Sequence, residues 1–123
     1  MKKDKYGFIL LNFANADMVG HTGNLNKTID AVEIVDECLG KIYEASQRLG
    51  YDLVVTADHG NAEQKLLKDG SPSTAHTTND VPLIIVSKKK IAFKKRKNAS
   101  LCDVAPVILE LLGISSKMVK RLV

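Results

Sequence analysis

Tryptophan is absent from this chain, and all aromatic residues together make up only 5% of its 123 positions. Long apolar runs are missing too. None approaches the ~18 residues that a helical membrane span needs. The charged start, Met1 to Lys5, leads into a short apolar stretch from Phe8 to Leu11. A secretory leader would need a longer apolar core and a small-residue cleavage site. A cytoplasmic protein with no membrane contact is the expectation. Cysteine is scarce as well. Cys38 and Cys102 are far apart and in no CxxC pattern, which argues against a disulfide framework and against a cysteine-based zinc site. Both lie in apolar helical patterns and read as small core residues.

What is present suits a soluble domain. Hydrophobic residues make up 45% and charged residues 26%, and the length is that of one domain. The net charge of +4 raises the question of a nucleic-acid partner. Lys88, Lys89, Lys90, Lys94, Lys95, Arg96 and Lys97 supply seven of the 18 basic residues, and the rest of the chain is acidic on balance. Only Phe93 is interleaved as a stacking ring. The run reads as a solvated loop without a catalytic role, around a short edge strand at Ile91 to Phe93, and no nucleic acid is expected.

Residues 7–12 form a short apolar run and read as a buried strand. Leu25, Ile29, Val32, Val35, Leu39, Ile42 and Leu49 fall near 3.6-residue spacing and predict a long helix. Asn24 suits its start and Gly50 its end. Gly40 lies inside it, a place for close backbone packing. Residues 52–57 are β-branched and predict a second strand. Residues 81–87 predict a third, with Pro82 near its start. A last helix is expected from about Leu101 to Leu112, closed by Gly113, with Pro106 in its first turns. Strand–helix–strand order implies mostly parallel strands in a layered α/β/α fold. Sites in such sheets gather beyond the carboxyl ends of the strands.

The polar segments that begin there hold all three histidines of the chain. Asp17 and His21 are an i, i+4 pair that one helical turn would bring to the same side. Asp58 and His59 are adjacent at a strand end, and His76 lies in the segment before the third strand. A carboxylate and imidazole set suits Mn²⁺ or Zn²⁺ better than Mg²⁺ or Ca²⁺. One such pair alone is more often structural, with the histidine bonding backbone at a turn. Three in separate segments favour a metal centre.

The run Asn12-Phe-Ala-Asn-Ala-Asp-Met-Val-Gly-His-Thr-Gly-Asn24 resembles the metal-binding segment of the cofactor-independent phosphoglycerate mutases. Val55-Thr-Ala-Asp-His-Gly-Asn-Ala-Glu63 and Thr74-Ala-His-Thr-Thr-Asn-Asp-Val-Pro-Leu83 resemble their next two motifs, and residues 101–113 resemble their closing helix. The resemblance implies an alkaline-phosphatase-like fold and an isomerase of glycolysis. It would interconvert 3-phosphoglycerate and 2-phosphoglycerate through a phosphoserine at two divalent metals, most often Mn²⁺, without 2,3-bisphosphoglycerate. Carried over by motif, Asp17, His21 and His76 resemble the ligands of the first metal, and Asp58 and His59 two ligands of the second.

The same resemblance implies that residues 1–123 are a C-terminal part of the phosphatase-like domain. The nucleophilic serine, an N-terminal aspartate, a phosphate-binding lysine and the substrate-holding arginines of an inserted domain have no matching motif here. Such a piece should bind at most one ion tightly, lack mutase activity alone and be prone to self-association through exposed sheet edges. The whole enzyme would be a monomer acting on a small phosphoglycerate. Ser73 stands where the family often has histidine, and Asp80 where proline is common. Another alkaline-phosphatase-like enzyme, such as phosphopentomutase or a phosphodiesterase, shares the Asp-His pair but is not expected to share the Asn12–Asn24 run. A stand-alone metal-binding module using its lysine run on an acidic partner is a third reading.

Overall fold

A computed structural model of the chain describes residues 6–89 and 99–114. Helix α1 spans Asn15–Gly20 and α2 spans Leu25–Leu49. Strands β1, Leu53–Thr56, and β2, Leu83–Val86, follow. A 3-10 turn at Leu101–Asp103 then leads into α3, Val104–Leu111.

The long helix begins and ends where its local chemistry dictates. The Asn24 side-chain oxygen accepts from the Lys27 N–H at 3.0 Å and satisfies a donor that the first turn leaves unpaired. Gly50 takes a left-handed φ of 74°, and its N–H donates to the Ser46 carbonyl. Helix α1 packs against α2, where Thr28 and Ala31 are buried. At the other end of the chain, Ser100 and Asp103 form a reciprocal capping box, and the Ser100 N–H donates to the Asp103 carboxylate at 2.8 Å. Pro106 sits in the first turn of α3, where its missing N–H has no intrahelical partner to lose.

Strands β1 and β2 pair antiparallel, from Leu53 opposite Val86 to Thr56 opposite Leu83. The parallel pairing expected from element order does not apply to this pair. Residues 57–82 contain no crossover helix, so the chain returns in the opposite sense. The layered α/β class itself stands. Val54 and Ile85 face each other in register on one side of the sheet, and Val107 and Leu111 of α3 are buried against them. Burial of two such side chains contributes about 1.5–3 kcal/mol each.

Several expectations need correction. Residues 7–12 have no ladder partner among the described residues, and Leu10 is 80% exposed. An apolar run becomes a strand only when a neighbour takes up its backbone groups. Cys102 lies on the exposed side of the 3-10 turn, and Cys38 is half-buried, so neither is a core residue. Among the described residues Gly40 meets no atom within 4 Å of the place a Cβ would take, so the close backbone packing expected there is not found among them. The edge strand expected at Ile91 to Phe93 lies outside the described residues. Lys88 and Lys89 are exposed, and the Lys89 ammonium donates to the Leu111 carbonyl at 2.6 Å.

Candidate metal centre

The loop between β1 and β2 is an irregular hairpin that folds onto α1. Gly60 bridges Thr77, and Leu66 bridges Pro72, both antiparallel. The Thr77 N–H donates to the Gly60 carbonyl at 2.9 Å, and the Ser73 N–H donates to the Lys65 carbonyl at 2.9 Å. Glu63 clamps the two arms. One carboxylate oxygen accepts from the Asn61 N–H at 2.6 Å, and the other accepts from the Thr77 hydroxyl and from the Asn79 amide. These bonds, that from Thr77 foremost, lower the Glu63 pKa to about 2 against the opposing effect of desolvation. The fold thereby sets residues 58–61 beside residues 76–77.

Asp17 is the hub of what results. Its Oδ1 lies 3.3 Å from His21 Nε2, 3.3 Å from His76 Nε2 and 4.0 Å from His59 Nδ1. His21 Nε2 and His76 Nε2 are 3.0 Å apart. The His59 ring stacks on His76 with centroids 3.8 Å apart, and its Nε2 is 3.6 Å from the Asp58 carboxylate. All five residues singled out in the sequence are thus brought together. Asp58 is the most exposed, with 87% of its side chain open to solvent.

The donor chemistry fits a divalent ion. Ligand atoms about 2.0–2.2 Å from one ion sit roughly 3.0–3.5 Å from each other. The Asp17, His21 and His76 atoms form a triangle with edges of that size. The Thr74 carbonyl lies 2.7 Å from His21 Nδ1, so that nitrogen carries the proton and Nε2 offers its lone pair. Asp17 is held ionised. The Asn61 amide, donating to Oδ1 at 2.6 Å, is the main cause of its lowered pKa; desolvation opposes it, and the rings of His21, His76 and His59 add to the lowering. A second observation concerns His59. Its Nδ1 is buried and has no hydrogen-bond partner among the described residues. Asp17, His59 and His76 also offer ligand atoms within 4.8 Å of one another, a looser set than the first triangle.

The match to the metalloenzyme superfamily runs over residues 1–116. The chain belongs to the metalloenzyme superfamily. It is 50% identical over 121 residues to a protein of Thermosynechococcus vestitus named 2,3-bisphosphoglycerate-independent phosphoglycerate mutase, which covers 93% of this chain and 23% of that protein. A protein of the same name from Ehrlichia canis is 51% identical over 117 residues, covering 94% of this chain and 23% of the relative. The crystal structure of Leishmania mexicana phosphoglycerate mutase at low cobalt concentration superposes with a TM-score of 0.82 at 35% identity, over 94% of this chain and 24% of that one. The chain therefore spans about a quarter of the length of these relatives. The likeness to the cofactor-independent phosphoglycerate mutases read from its motifs is borne out.

Two residues of the centre had no role assigned from sequence. Asn61 stands inside the Asp58-His-Gly-Asn61 segment, where its reach to Asp17 has no local sign. Lys65 lies in the polar loop outside the motif segments, yet it is only 3% exposed.

Proposed function

We propose that this chain is the metal-binding C-terminal part of a phosphoglycerate mutase that interconverts 3-phosphoglycerate and 2-phosphoglycerate in glycolysis. The observation that carries this reading is the triangle of Asp17 Oδ1, His21 Nε2 and His76 Nε2 with edges of 3.0–3.3 Å. In this proposal those three residues hold the first divalent ion, and Asp58 and His59 contribute to a second. Mn²⁺ is the metal we propose in the cell, which we take to be bound in the cytoplasm. The ions would stabilise charge on a transferring phosphoryl group and lower the pKa of an attacking oxygen.

The chain's own residues prepare that environment. Asp17 brings a fixed negative charge, and Asn61 holds it. The Thr74 carbonyl sets the tautomer that presents His21 Nε2. No serine of the chain lies in a segment resembling the nucleophile motif, so the nucleophile and the substrate-holding groups would come from the rest of the enzyme. The experiment is a coupled assay with enolase on the whole protein and on this chain, each with Mn²⁺. The whole protein should turn over 3-phosphoglycerate, and His76→Ala should cut its turnover at least a hundredfold, about 2.7 kcal/mol. The 123 residues alone should show no turnover. A whole protein that is inactive with phosphoglycerate, or an active His76→Ala variant, would overturn the proposal.

A further inference from the structure

Lys65 is buried, and no carboxylate pairs with it among the described residues. A buried ammonium without a counter-charge is costly, so its neighbours define what it does. Its Nζ donates to the Gly20 carbonyl at the end of α1, at 3.0 Å, and to the side-chain oxygen of Asn61. The Asn61 amide nitrogen in turn donates to Asp17 Oδ1 at 2.6 Å. A lysine has donors only. The amide atom that faces it must be the oxygen, which turns the NH₂ toward Asp17. Gly20 makes room for this arrangement: a Cβ there would meet the Asn61 oxygen at 2.5 Å and the Lys65 nitrogen at 3.2 Å.

We infer that Lys65 is a positioning residue of the metal centre, which fixes the Asn61 amide so that Asn61 holds the Asp17 carboxylate toward His21 and His76. The inference rests on the metal-centre reading above. It adds a residue that touches no ligand itself and acts through an uncharged relay. Groups behind metal ligands typically change affinity by about 10–100-fold when removed.

The test is a Co²⁺ titration of the full chain followed by visible absorption, with far-ultraviolet circular dichroism of every variant. Lys65→Met should weaken Co²⁺ binding about 10–100-fold and shift the absorption bands. Lys65→Arg, which keeps charge and reach, should recover most of the affinity. Lys68→Met, at an exposed lysine of the same loop, should change nothing. Because Lys65 acts through Asn61, the Asn61→Ala/Lys65→Met double variant should bind no more weakly than Asn61→Ala alone. Lys65→Met with wild-type affinity and spectrum, or losses that add in the double variant, would overturn the inference. If Lys65→Met loses its helical signal, the comparison passes to Lys65→Gln and Lys65→Arg, where equal affinity overturns the inference and recovery by Arg alone supports it. A wild-type chain that takes up no Co²⁺ would instead refute the metal-centre reading, and this inference with it.

Discussion

Two helical glycines that look alike in sequence should respond in opposite ways to the same substitution. Gly40 lies in the middle of α2, is exposed, and among the described residues has nothing within 4 Å of an added Cβ. Gly40→Ala should therefore express only the helix preference for alanine, about 0.5–1 kcal/mol of stabilisation. For a chain of this size that raises the melting temperature by about 2–5 °C. Gly20, at the end of α1, faces Asn61 and Lys65. An added Cβ sits 2.5 Å from the Asn61 oxygen, so the amide must retreat by roughly 0.9 Å to reach ordinary contact. That displacement would stretch its 2.6 Å bond to Asp17 to the limit of a useful hydrogen bond. The overpacking, about 1–3 kcal/mol, offsets or exceeds the gain in helix preference. The decisive readout is metal affinity beside thermal stability. Gly20→Ala should weaken Co²⁺ binding at least tenfold, and Gly40→Ala should leave it unchanged. A Gly20→Ala chain that melts higher and binds Co²⁺ as well as the wild type would refute the packing of Asn61 against α1.

The cap at the start of α2 is testable by Asn24→Ala, which leaves the Lys27 N–H without its side-chain acceptor and should lower stability by about 1 kcal/mol in chemical denaturation. Glu63 should govern part of the acid response. Its folded pKa of about 2 lies below the ordinary value of 4.5, so the stability it contributes is present above about pH 4.5 and is lost as pH falls toward 2. Glu63→Gln should flatten the difference in stability across that window, and a variant with the wild-type pH profile would count against the Glu63 clamp on Thr77 and Asn79.

The parts of the fold legible in the sequence are those set by local chemistry. Asn24, Gly50 and the apolar spacing between them fixed α2 to the residue, because capping and periodicity act within one turn. The segments of His59 and His76 could be grouped because they join the end of β1 to the start of β2, at one edge of the sheet; the Asp17–His21 segment was grouped with them from a strand pattern at residues 7–12 that pairs with nothing among the described residues. Less was legible where distant residues decide the outcome. Strand pairing sense depends on how residues 57–82 return, and no local pattern marks that loop as a hairpin held by Glu63. Residues 7–12 carry a strand pattern, but pairing is a property of a neighbour and not of the run itself. Lys65 was hidden for the same reason: a lysine becomes a buried donor only when Gly20 and Asn61, 45 and four positions away, close around it.

If Asp17, His21 and His76 hold one divalent ion, a metal titration of the chain beside three variants will show it. The wild-type chain should bind one Mn²⁺ or Co²⁺ tightly under modest metal excess. Asp17→Asn and His21→Ala should each weaken binding at least tenfold, because each removes a corner of the tight triangle. His59→Ala should leave that ion in place, since His59 Nδ1 stands 4.0 Å from Asp17 Oδ1, outside the triangle. Two tightly bound ions per chain would contradict a single site at Asp17, His21 and His76, and so would an ion that survives His21→Ala but is lost with His59→Ala.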